Sequence, residues 1–196
     1  MAQLALFEST DTILTDGEHG RVTYIAKFID AATAADWFTT LRTTLDWRSE
    51  RRLMYEREVD VPRLMASFRL DDPERSTPDL IREAASRATE RLGVPFNGVG
   101  LNLYRDGRDS VAPHNDHLDE IRKGFPIALL SLGSTRRMTI RAKEPPRRAI
   151  NIDLESGSLL VMDYTTQLHY THAVPKTDEA VGERISLAFR VKLPLR

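Results

Sequence analysis

From Pro95 onward the chain breaks into short runs closed by turn residues: Gly98 to Tyr104, Pro126 to Gly133, Arg136 to Ala142, Ala149 to Leu154, Gly157 to Asp163 and Glu183 to Leu193. Runs this short, with β-branched and apolar residues in alternation, read as strands rather than helices. Strands at such even spacing close into an antiparallel sandwich or barrel. This stretch therefore fixes the architecture of half the chain.

The half before Pro95 has a different period. Behind Asp30, which can cap free N–H groups, Ala34, Trp37, Phe38, Leu41 and Leu45 recur every three or four residues and predict an amphipathic helix over 30–47. A second helix is predicted over 78–92, with Thr77 as cap, Pro78 at the first helical position, an apolar stripe from Leu80 to Leu92 and a stop at Gly93. Two helices are thus expected ahead of all the strands, bracing one face of the sheet. The fold class is α+β, mainly β. Residues 1–20 read as a polar lead-in, and 21–196 as a single domain with its barrel core at about 95–193.

Composition excludes several kinds of chemistry. With no cysteine, disulfides, thiolate metal sites and cysteine nucleophiles are all ruled out, so a metal would need His, Asp or Glu. A net charge of -1 gives no global field toward a polyanion, and nucleic acid would have to be held by local patches. No apolar run is long enough to cross a membrane, and Met1 to Glu8 lacks the pattern of a secretory signal. The expectation is a cytoplasmic, monomeric protein.

One constellation carries chemistry. His114-Asn115-Asp116 sets an imidazole and a carboxylate two residues apart, which in extended backbone leave the same face. A further imidazole is available from His169 or His172. Two histidines and one carboxylate on one face of a metal make the triad of non-haem iron(II) oxygenases. Farther on, alternation puts Arg184, Ser186, Ala188 and Arg190 on one face of a strand; small residues between two arginines leave room for a carboxylate ligand. Asn102 and Tyr104 likewise share a face.

In order, Asn102-x-Tyr104, His114-x-Asp116, His172, and Arg184 with Arg190 six residues on resemble the signature of the AlkB family of dioxygenases. The likeness covers roughly residues 95 to 193 well, and Phe28 to Pro62 more loosely. It implies a double-stranded β-helix, or jelly roll, and makes His114, Asp116 and His172 the ligands of Fe(II). His172 is chosen over His169 because, as in the family, two residues and then proline follow it. The resemblance assigns Arg184 to the distal carboxylate of 2-oxoglutarate, with Arg190, Asn102, Tyr104 and Ser186 nearby; the family commonly has Asn where this chain has Ser186. The implied reaction consumes 2-oxoglutarate and O2, yields succinate, and releases an N-methyl group of a base such as 1-methyladenine or 3-methylcytosine as formaldehyde.

Substrate contacts depart from the family. His117 stands where repair enzymes usually carry an acidic residue, and the stretch between Pro62 and Pro78 reads as a shortened lid with Phe68 its only aromatic. Leu53, Met54 and Tyr55 are candidates for separating a base from its stack. Basic clusters at Arg48, Arg51, Arg52 and Arg57, and from Arg136 to Arg148, include an outward row of Arg137 and Arg141 suited to phosphate contacts. Expected partners are DNA or RNA, single-stranded or with a flipped base. The same machinery acting on a protein or small molecule, and a catalytically silent binding module, are the competing readings.

Overall fold

The computed structural model describes residues 11–54 and 57–194, with side chains 50–60 left aside. Two antiparallel sheets face each other. The larger has the strand order β1 (Asp11–Thr15), β2 (Val22–Ile25), β10 (Leu159–Met162), β7 (Ile127–Gly133), β12 (Arg184–Arg190), β5 (Gly98–Tyr104), β4 (Arg57–Arg69) and β3 (Arg48–Met54). The smaller runs β6 (Val111–His114), β11 (Tyr170–Val174), β8 (Arg136–Ala142) and β9 (Ala149–Leu154). This is the jelly-roll arrangement, braced by helices.

Helices α1 (Ala31–Thr44) and α2 (Asp79–Leu92) bury Trp37 and Leu41, and Ile81, Ala84 and Ala88, against the outer face of the large sheet. Asp30 caps α1 by accepting from Thr33 N at 2.9 Å. This helix ends at Thr44, short of the predicted 47, because Leu45 turns extended at ψ 143°. Thr77 does not cap α2; it is buried and its hydroxyl lies 3.4 Å from the Arg69 carbonyl it donates to. Gly93, at φ 65°, closes α2 in the left-handed conformation as its sequence position implies.

Strand alternation divides the molecule into two cores. Val99, Leu101, Leu103, Leu130, Leu132, Ile185, Leu187 and Phe189 face the helices. Tyr104, Ile127, Leu129, Met138, Ile140 and Ala188 lie between the sheets. Strands β7 and β12 are central and covered on both sides, so their arginine-bearing face is not solvated: Arg184 is 0% exposed.

Two expectations are corrected. Strands come before and between the helices: β1, within the supposed lead-in, pairs with β2, and β3 and β4 form a long hairpin. Their polar sequences hide a strand period because each has a solvent-facing side or lies at a sheet edge. Residues 1–10 of the lead-in and Tyr55 lie outside the described residues, as do the side chains of Leu53 and Met54.

Candidate metal centre and co-substrate pocket

His114 closes β6 and His172 sits directly opposite it in β11. The register slips between His172 and Val174, so that β6 carries one extra residue around Ala112 and Pro113. Pro113 has no N–H to give a ladder, and a bulge of this kind re-aims the side chain that follows. The two imidazoles meet with ring centroids 4.3 Å apart and planes at 58°. Asp116 joins them, and one ligand atom from each of the three residues lies within 4.8 Å of the others. The group could hold a metal ion.

Asp116 does not reach this position by strand alternation. Strand β6 ends at His114, and Asp116 lies in the following loop. Arg190 fixes its carboxylate, donating from Nη2 to Oδ1 at 2.8 Å and from Nε to Oδ2 at 3.2 Å. Burial alone would raise the Asp116 carboxyl, but the charge and hydrogen bonds of Arg190 hold it below the usual carboxylate range. Arg190 thus grips the carboxylate of the triad while also lining a pocket with Asn102, Tyr104 and Arg184, beside which the resemblance sets it.

The histidines are held neutral. Burial, reinforced by His114, pushes the His172 imidazole down to about 4; burial also lowers His114. His114 Nδ1 lies 2.9 Å from the Ala112 carbonyl. A carbonyl only accepts, so Nδ1 carries the proton and Nε2 keeps its lone pair for an ion.

Behind this group Arg63, Asn102, Tyr104, Met138, Arg184 and Ser186 line a pocket that His114 and His172 also border. The Arg184 guanidinium lies 5.1 Å over the Tyr104 ring. Its Nη2 donates to Ser131 Oγ at 2.7 Å, while Nε and Nη1 are buried without a hydrogen-bond partner. Unpartnered guanidinium donors in an interior are costly, and a carboxylate is the acceptor that best suits a guanidinium edge, taking either one together with the second N–H of Nη2. Asn102 Oδ1 accepts from Arg63 Nε at 2.7 Å, which fixes the amide so that its Nδ2 donors point away from Arg63.

Other candidates fall elsewhere. His169 ends α3 (Tyr164–His169) and stacks on His19, centroids 4.4 Å apart, outside the three-residue group. Phe68 packs on the helix-side core because alternation along β4 turns Leu64, Ala66 and Phe68 that way, and it also borders the cleft that Asp116 and His117 line. His117 is exposed and lines a cleft with Asp116, Ser67, Arg75, Arg190 and Lys192. The basic row is largely engaged: Arg137 pairs with Asp153 at 2.8 Å and Arg48 with Asp46 at 3.0 Å, while buried Arg136 donates to the carbonyls of Asp106, Asp109 and Pro175. Arg141 is exposed on the outer face. Side chains of Arg51, Arg52 and Arg57 lie outside the described residues.

Arg63, Ser131, Met138 and Gln167 were not singled out in the sequence. Ser131 sits on the inward period of the run Pro126 to Gly133, a usable signal; the others become neighbours of the site only through pairing across the sheets.

The family model described as the 2OG-Fe(II) oxygenase superfamily matches residues 21–190. Human alpha-ketoglutarate-dependent dioxygenase alkB homolog 3 is 30% identical over 192 residues, covering 89% of this chain and 67% of that protein. Bovine DNA oxidative demethylase ALKBH2 is 36% identical over 121 residues, covering 58% of this chain and 42% of its own length. Among solved structures, OsALKBH1 superposes with TM-score 0.59 at 16% identity over 86% of this chain and 97% of that one, a likeness of fold. A Pseudomonas putida prolyl-4-hydroxylase does so with TM-score 0.58 at 15% identity over 89% and 94%. With a jelly roll, a His-Asp-His group between its sheets and these relatives, the chain belongs to the AlkB family of the 2OG-Fe(II) oxygenase superfamily, dioxygenases whose cofactors are Fe(II), 2-oxoglutarate and O2.

Proposed function

We propose that this protein oxidatively removes N-alkyl groups from nucleic-acid bases, such as 1-methyladenine and 3-methylcytosine, with His114, Asp116 and His172 as the iron ligands. The observation that carries the reading is the fully buried Arg184, two of whose donors lack a partner, beside a His-Asp-His group of two neutral imidazoles and one carboxylate. The names of the relatives, a DNA oxidative demethylase among them, support the substrate class.

The residues fit the group they would hold. Two neutral imidazoles and one carboxylate suit iron(II) and leave coordination positions for other ligands. When bound, iron would supply the oxidising chemistry in which 2-oxoglutarate and O2 give succinate and CO2 and an N-methyl group is hydroxylated, to leave as formaldehyde with the proton returned to the base nitrogen.

The chain's own contribution is to orient and to exclude. Arg184 would take the distal carboxylate through one of its unpartnered N–H groups, with Tyr104 beneath it and Ser186 and Asn102 alongside. Arg190 would keep Asp116 ionised and aimed at the histidines. The cleft bordered by His117 opens next to Asp116 and would admit the base, which must be unpaired or swung from its stack. Arg141 would meet phosphate on the outer face.

One observation favours a second reading, the same oxygenase machinery acting on a protein or small molecule: several basic residues expected to meet phosphates are engaged within the chain. The test is an assay with iron(II), ascorbate and 2-oxoglutarate on single-stranded oligonucleotides carrying 1-methyladenine or 3-methylcytosine. Formaldehyde with restoration of the base supports dealkylation, and succinate without base change moves the substrate elsewhere. Absence of both, with no iron bound, would leave a silent binding module.

A further inference from the structure

The two parts of the candidate metal group come from segments far apart in sequence, and the ladder pairing His114 with His172 does not extend to Asp116. What lies against the Asp116 backbone is Gln167. This residue is 1% exposed, and its Oε1 accepts the Asp116 N–H at 3.2 Å across 51 residues of sequence. Its amide orientation is set by that N–H, since a backbone nitrogen can only donate; Nε2 turns toward Thr166 Oγ1 at 3.5 Å and Met162 Sδ at 4.0 Å.

The short helix that carries Gln167 is pinned at both ends. At its start Gly20, with φ 101°, packs so closely that a Cβ there would meet Thr166 N at 2.8 Å. At its end Lys143 Nζ donates to the carbonyls of Gln167 at 3.0 Å and Leu168 at 2.8 Å, and Lys143 N donates to His169 O at 2.9 Å. A second tie runs alongside, from Asn115 Nδ2 to the Tyr170 carbonyl. Arg190 grips the Asp116 carboxylate from one side, and Gln167 fixes the backbone from which that carboxylate springs.

We infer that Gln167 is a positioning residue for metal binding, locking the Asp116 loop to the segment that bears His172. The inference rests on the reading of His114, Asp116 and His172 as metal ligands. It predicts that reach and acceptor character at position 167 matter, and bulk or burial alone does not. Gln167→Asn keeps the amide but falls one methylene short of the Asp116 N–H, whereas Gln167→Glu keeps both the length and an acceptor oxygen.

The experiment titrates Co(II) into the metal-free protein and its two variants. Affinity and the d–d absorption at saturating metal are recorded, together with the thermal midpoint of each metal-free form. The expected result is a loss of roughly 10-fold in affinity and an altered d–d spectrum for Gln167→Asn, with Gln167→Glu within about threefold of the parent and both melting within a few degrees of it. Parent-like affinity and spectrum in Gln167→Asn, or equal losses in both variants, would overturn the inference while leaving the metal site standing. Failure of the parent protein to bind Co(II) would overturn both.

Discussion

Arg190 donates to both carboxylate oxygens of Asp116, at 2.8 and 3.2 Å, from a strand that pairs with neither β6 nor β11. One carboxylate is therefore shared between the sheets: aimed at two histidines of the small sheet, gripped by an arginine of the large one. Gly100, one strand over, leaves the space this needs, since a Cβ there would lie 3.1 Å from Arg190 Nη1.

Removing that grip strands a largely buried charge. Arg190→Met should destabilise the metal-free protein by about 3 kcal/mol in urea denaturation, the usual cost of breaking a buried pair from one side. Arg190→Lys, which offers a point charge and no fork, should fall between Arg190→Met and the parent.

Arg184 predicts the opposite sign. Its guanidinium is buried with two donors unpartnered, so Arg184→Met should leave the metal-free protein as stable as the parent or more stable, by up to about 2 kcal/mol. The same variant should lose at least about 100-fold in 2-oxoglutarate affinity, because a buried charge-assisted contact disappears. Calorimetry of both quantities on one preparation checks the pair of outcomes.

His172 makes stability depend on pH. Its pKa falls from 6.5 in the unfolded chain to about 4 in the fold, so above 6.5 both states are neutral there and nothing is lost. As pH drops from 6.5 toward 4 the unfolded state alone takes the proton, and metal-free stability declines by about 3 kcal/mol in all. Below about 4 the folded state is protonated too and this contribution levels off. Urea denaturation from pH 7 to 4 should show a slope in the parent that is shallower by about one proton in His172→Gln.

Gly133 ties the helix layer to the central strand. At φ 84° any side chain is strained, and a Cβ would meet Glu183 O at 2.5 Å and Phe38 Cε2 at 2.7 Å. Gly133→Ala should cost more than about 2 kcal/mol, seen as an earlier urea midpoint with unchanged slope.

Much of this was legible in the sequence where side-chain period and chemistry coincide. The alternation of Arg184, Ser186 and Ala188 against Ile185, Leu187 and Phe189 identified a strand with two differing faces, and the fold buries both. The spacing of His114, Asp116 and His172 carried the family likeness. What stayed hidden depends on pairing between distant segments. Gln167 has no local pattern, and only its helix packing under the Asp116 loop gives it a partner. Arg190 lines the pocket with Asn102, Tyr104 and Arg184, and its added grip on Asp116 had no local signal because it is the loop after β6 that brings Asp116 to it. Phe68, the aromatic of the stretch that reads as a shortened lid, packs toward the helices through the register of β4 with β5 and also borders the cleft beside Asp116. Strands β1 and β3 escaped notice because polar edge strands lack the apolar alternation that marks a half-buried one.

On the proposed assignment His114, Asp116 and His172 bind one iron, with 2-oxoglutarate held behind it by Arg184. Anaerobic titration with iron(II) and then 2-oxoglutarate, followed by visible charge-transfer absorption, tests it directly. Expected are one iron per chain, a charge-transfer band on adding 2-oxoglutarate, loss of iron in His172→Ala and Asp116→Ala, and loss of the band but not of iron in Arg184→Met. Undiminished iron binding in His172→Ala and Asp116→Ala, or a parent-like band in Arg184→Met, would contradict it.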